Sequence, residues 1–212
     1  KVTDAMQFGK IIHKLLLEPD LFNDDYAVFE GKIRSGKKWQ EFKAANDNKQ
    51  IIKLSELDDA NAIANNAMNN PIFNKLMQNK VHTEKEVRWN HAGVNFKGFV
   101  DLESYLDGKT IVCDIKTTTD AGKRFQRDLI YNDYKMQAAM YLENYDNADY
   151  YIIAVETTSP YNVQVYKLGL NLIKKGETEY HNLVDKYNNW NGELVGYGDD
   201  IIEIEVEEQI LI

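Results

Sequence analysis

Residues 111–118 read IVCDIKTT. The Ile, Val, Cys and Thr content spells a strand, yet Asp114 and Lys116 sit inside it two residues apart. Successive strand side chains point to opposite faces, so Cys113 and Ile115 share one face and Asp114 and Lys116 the other. Upstream, GFVD at 98–101 closes a second strand-like run on another acid, Asp101. If a tight turn at Asp107-Gly108 folds these runs together, the two carboxylates meet at one end of a sheet. Close carboxylates repel, and burying them is costly unless a cation compensates. Mg²⁺ suits such a place because it favours hard oxygen ligands, and the Ile115 carbonyl offers one more. Lys116 would then stand where it can orient a water. Alone, D-x-K is a weak motif, and the plain alternative is a surface Asp–Lys pair worth under about 1 kcal/mol.

Around this pair the pattern is mixed. TDAMQFGKIIHKLLLEPDLF reads as a capped helix stopped by Pro19, with His13 one turn after Gly9. YAVF reads as a short strand, RSGKKWQEF as a basic loop entering a helix, and LSELDDANAIANNAMNN as a helix capped by Ser55 and broken before Pro71. From about residue 80 the period changes to two, giving three strands, then one long helix over GKRFQRDLIYNDYKMQAAMYLEN, two strands and a final helix. The terminal DDIIEIEVEEQILI alternates like an acidic edge strand. The order predicts an α/β (α+β) domain over 1–212, with a central mixed sheet flanked by helices.

The 212 residues suffice for a real core, and no apolar run is long enough for a membrane span. KVTDAMQFGK lacks the pattern of a secretory signal, so a cytoplasmic setting is expected. One cysteine, Cys113, cannot hold a multi-cysteine zinc or iron–sulfur site. A net charge of −9 speaks against non-specific DNA coating but leaves room for a local basic groove.

The order G-F-V-D, turn, D-I-K-T-T, then a helix with Gln137 and Tyr141 four residues apart resembles the PD-(D/E)XK nuclease superfamily, in its branch with a Q-x-x-x-Y helix. GKIIH followed by LEP, RSGKKW, and AVETTSPYNVQVYKLG are similar to segments of the RecE-type (exonuclease VIII) phage recombination exonucleases. That family often has Arg-Pro-Asp where this chain has Phe99-Val100-Asp101, so the Asp is kept and the Arg is not. The resemblance implies a restriction-endonuclease-like core. It implies Asp101 and Asp114 as metal ligands, Lys116 as the catalytic lysine and His13 as a further ligand. A helix-face histidine alone is more often a packed or surface residue.

A further acid is expected from TEKEVRW, either Glu84 or Glu86, with spacing favouring Glu86. Gln137, Tyr141 and Tyr134 would contact DNA or support the catalytic strand, or would simply pack. Arg34, Lys37 and Lys38 read as phosphate contacts, with the Arg34 fork suited to a terminal 5′-phosphate. Lys123, Arg124 and Arg127 form a second basic patch. In each case the alternative is an ordinary solvated surface.

The resemblance implies a Mg²⁺-dependent exodeoxyribonuclease, with Mn²⁺ able to substitute. It would digest one strand of linear duplex DNA from its 5′ end and leave a 3′ tail for a single-strand annealing protein. It implies a ring-shaped homo-oligomer of three or four copies and a phage or prophage origin. The rivals are a structure-specific or nicking endonuclease of the same fold, and a degenerate nuclease-fold module that binds DNA or a partner.

Overall fold

The computed structural model describes residues 3–193. Helix α1 (Asp4–Leu17) starts where the Thr3 hydroxyl accepts the Met6 N–H, and it ends ahead of Pro19. A 3₁₀ turn (Pro19–Leu21) and the short α2 (Phe22–Asp25) lead into β1 (Tyr26–Phe29). After α3 (Gly36–Ala45), β2 (Gln50–Lys53) pairs parallel with β1 in a two-stranded sheet. The stretch QIIK is too short to announce itself by alternation, so its pairing with β1 decides it. Helix α4 (Leu54–Asn69) begins ahead of Ser55, and the cap is made by Glu56, whose carboxylate accepts the Lys53 N–H at 2.6 Å. Asn70 then caps α5 (Pro71–Gln78).

The main sheet has the order β3-β4-β5-β6-β7. Strands β3 (Lys80–His91), β4 (Val94–Leu106) and β5 (Lys109–Thr118) form an antiparallel meander. Its two turns, at Ala92-Gly93 and Asp107-Gly108, hold both residues at positive φ, as the twist of a two-residue hairpin requires. Strand β6 (Ala148–Glu156) runs parallel to β5, and β7 (Val163–Lys167) returns antiparallel to β6. The crossover between β5 and β6 holds two helices where one was expected, α6 (Lys123–Tyr131) and α7 (Tyr134–Leu142). The chain is extended at Asn132, and Asn132-Asp133 favour capping over helix continuation. Helix α8 (Leu170–Asn188) closes the described region, and the expected terminal edge strand lies outside it.

Both sheet faces are covered. On one side Leu102, Ile111, Cys113, Ile115, Ile153 and Val155 pack with residues of α1, α4 and α5. On the other, Val100, Val112, Tyr150, Ile152 and Ala154 pack with Phe125, Leu129 and Ala138 of α6 and α7. Strand β5 is thus apolar on both faces along most of its length, as a parallel neighbour of β6 should be. Its buried charged exception is Asp114, 4% exposed. The mixed sheet with helices on both faces is the expected architecture.

Candidate active site

The pairing of β4 with β5 runs from Leu106↔Lys109 to Leu102↔Cys113. Beyond it the Ile115 N–H donates to the Asp101 carboxylate at 2.6 Å. Asp101 and Asp114 therefore face each other where the ladder ends, and a cleft of about 670 Å³ opens there. It is lined by His13, Glu84, Asp101, Ile115, Lys116 and Lys10, among others.

Asp114 is fixed from both sides. Gln137 Nε2 donates to its Oδ1 at 2.9 Å, and Lys116 Nζ lies 2.9 Å from Oδ1 and 2.7 Å from Oδ2. Oδ2 is buried and lacks an aligned donor. The Lys116 ammonium also rests 5.2 Å from the Tyr134 ring centre.

Burial, reinforced by the Asp114 charge, pushes the Asp101 carboxyl up to about 8. Burial also raises Glu84 and lowers His13, favouring the neutral imidazole. Burial works to lower Lys116, but Asp114 and Asp101 outweigh it and hold the group as an ammonium.

His13 reaches this end of the sheet because Gly9, one turn earlier, lets α1 lie close to β5. A Cβ at Gly9 would stand 3.0 Å from Thr117 Oγ1. His13 Nδ1 is 3.7 Å from Asp101 Oδ2, and ligand atoms of His13, Glu84 and Asp101 all lie within 4.8 Å of one another.

Spacing favours Glu86 over Glu84 as the extra acid, but it is Glu84 that stands in the cleft. Strict alternation would put both on one face. However, Glu84 sits at φ 49°, and across from it Val100 and Leu102 belong to the cores on opposite sides of the sheet. Alternation breaks on both strands at this point. Glu86 instead stays on the surface, ion-paired to Arg88 at 2.5 Å and Lys97 at 2.8 Å.

The remaining candidates are dispersed. The Tyr141 ring lies against the backbone of Gly98, where a Cβ would overlap it, and edge-on to Trp89, at the α7–β4 contact. Arg34 Nη2 donates to the Ile51 carbonyl and to Glu56, and its guanidinium lies over Trp39, so part of its donor fork is already engaged by an acid. Lys37 pairs with Glu41 on an exposed helix face, and Lys38 is exposed. Lys123, Arg124 and Arg127 are exposed along α6. Lys10 was missed by sequence reasoning. Its signal is the three-residue spacing from His13, which puts both on one face of α1.

The donor set fits a divalent cation. It offers carboxylate oxygens of Asp101, Asp114 and Glu84, the Ile115 carbonyl and a neutral imidazole, with an incompletely bonded buried oxygen among them. The β-meander, parallel crossover and acid–lysine strand define a PD-(D/E)XK nuclease-type domain. The chain belongs to the family described as "PDDEXK-like domain of unknown function (DUF3799)", which matches residues 1–194. Among solved structures it is similar to a provisionally named exonuclease from Eubacterium rectale, at 14% identity and a TM-score of 0.63, covering 98% of this chain and 78% of that one. A second, SSO0001, shares 21% identity over 53% of this chain and 54% of that one, at a TM-score of 0.33. No curated protein matches the chain. No helix among the described residues is long and apolar enough to cross a membrane.

Proposed function

We propose that this protein is a divalent-metal-dependent exodeoxyribonuclease acting on linear duplex DNA. The observation that carries the reading is the meeting of Asp101, Asp114, Glu84, His13 and Lys116 where β4 and β5 part. Asp101, Asp114 and Glu84 would hold the ion, with His13 and the Ile115 carbonyl beside them, and Mg²⁺ or Mn²⁺ is the cation of choice. When bound, such an ion supplies charge stabilisation at the phosphoryl oxygens and acidifies water.

The chain's own residues supply the rest. Gln137 and Lys116 fix the Asp114 carboxylate in one orientation. Lys116, held as an ammonium, orients water and offsets negative charge developing on phosphate; it does not accept a proton in this state. Asp101, held protonated by burial, would have to give up its proton to hold an ion. Exposed Lys10 at the cleft and Lys123, Arg124 and Arg127 along α6 are placed for backbone phosphates.

The 5′-to-3′ direction, the 3′-tailed product passed to an annealing protein and the ring-shaped assembly rest on the RecE-like sequence motifs. Asp114→Asn and Lys116→Ala, assayed on linear duplex with Mg²⁺, are expected to lose activity about 100-fold or more. Full activity in either variant would sink the site. Degradation of end-labelled linear duplex with sparing of covalently closed circles supports the exonuclease reading, whereas cutting of circles favours a nicking endonuclease.

A further inference from the structure

A second group of metal-capable side chains lies apart from the acid–lysine site. His91 ends β3, Glu143 caps the C-terminus of α7, and His181 sits in α8. His91 Nδ1 is 2.7 Å from Glu143 Oε1, and His181 Nε2 is 3.8 Å from the same oxygen. One ligand atom from each of the three lies within 4.8 Å of the others, and the two imidazole rings are 4.2 Å apart. Around a tetrahedral ion with bonds near 2 Å, neighbouring ligand atoms stand about 3.3 Å apart. The observed separations bracket that value, and His181, with its side chain 38% exposed, is free to rotate into place.

The carboxylate is aimed from behind. Tyr180, almost fully buried, donates its hydroxyl hydrogen to Glu143 Oε2 at 3.1 Å, and Trp89 Nε1–H donates to the Tyr180 oxygen at 3.0 Å. Phe96 holds this chain in position, stacked on Trp89 and edge-on to Tyr180. One oxygen of Glu143 is thus spent on an outer hydrogen bond while the other faces both imidazoles. That is the arrangement by which outer residues orient a metal-binding carboxylate.

We propose that His91, Glu143 and His181 bind a transition-metal ion of the Zn²⁺ class, with a fourth position left for water. Two imidazoles and one carboxylate suit Zn²⁺, Co²⁺ or Ni²⁺, and they are poor partners for Mg²⁺, which prefers oxygen. The ion ties three elements together: the tip of the β3–β4 hairpin, the end of α7 and the middle of α8. Helix α7 also carries Gln137, so the ion braces the helix that orients Asp114. Asn188 already links α8 to this hairpin by donating to the Ala92 carbonyl at 2.9 Å.

The test is calorimetric titration of the whole chain with ZnCl₂ in excess Mg²⁺, with Co²⁺ absorption as a second readout. We expect one equivalent of Zn²⁺, a Co²⁺ visible spectrum of four-coordinate type, and a Zn²⁺-dependent rise in melting temperature. His91→Ala and His181→Gln are expected to weaken Zn²⁺ at least about tenfold and to abolish the thermal shift. Their metal-free melting curves show whether they are folded, and His181, the more exposed of the two histidines, makes its variant the safer one. His13→Ala is expected to leave this equivalent unchanged. The proposal is overturned if the parent binds no Zn²⁺ in excess Mg²⁺, or if His13→Ala removes the equivalent while His181→Gln keeps it.

Discussion

At Glu84 the backbone turns left-handed, with φ 49°, in the middle of a strand. A non-glycine residue there costs about 1 kcal/mol or more, and here the turn delivers a carboxyl group to His13 and Asp101. Glu84→Gln is therefore expected to lower nuclease activity at least about tenfold, whereas Glu86→Gln stays within about twofold; initial rates on linear duplex compare them. Asp101 offers a second test. Its folded carboxyl is held protonated up to about 8, while the unfolded chain ionises from 3.8. As pH rises between those values, the unfolded state sheds a proton that the fold retains, so Asp101 costs stability by at most about 1.4 kcal/mol per pH unit. His13, lowered by burial, works the other way near its ordinary 6.5 and largely cancels when two variants are compared. In EDTA, Asp101→Asn should therefore match the parent near pH 4 and exceed its thermal stability increasingly toward pH 8. An unchanging gap would show that the carboxyl is not held protonated.

Between elements, the contact of α7 with α8 sets where Gln137 stands. Gly176 of α8 lies against the Lys135 backbone of α7, and a Cβ there would overlap the Lys135 carbonyl. Backbone cannot move aside as a flexible side chain does. Gly176→Ala is expected to cost about 1–3 kcal/mol in urea unfolding, with an unchanged m-value. The break at Asn132-Asp133 belongs to the same scale. A continuous helix from 123 to 142 would keep one axis throughout, whereas the break gives α7 its own direction toward Asp114.

For the molecule as a whole, a charge of −9 and a role on DNA are reconciled by where the charges sit. The buried Asp114 is offset by Lys116, the proposed cation would offset the other acids of the cleft, and exposed basic residues lie on α1 and α6. Because Asp101 must lose a proton to bind an ion, Mg²⁺ or Mn²⁺ affinity should tighten up to about tenfold per pH unit, levelling off near 8. Titrations in buffers of different ionisation enthalpy should show about one proton released per ion at pH 7. Pure Lewis-acid binding without proton release would contradict the electrostatics of the site.

Local pattern carried far in this chain. The alternation of IVCDIKTT placed Cys113 and Ile115 in one core and Asp114 with Lys116 on the other face, and Asp107-Gly108 announced the turn that brings Asp101 opposite. These are short-range consequences of strand pleat and hairpin geometry, so sequence determines them. Three things depended on the tertiary structure. The choice of Glu84 over Glu86 came from a break in alternation that no periodicity encodes. The engagement of Arg34 by Glu56 came from elements far apart in the chain. The His91–Glu143–His181 cluster joins residues up to ninety positions apart, and only the packing of α8 on the sheet and α7 brings their nitrogens and oxygens within reach of one ion.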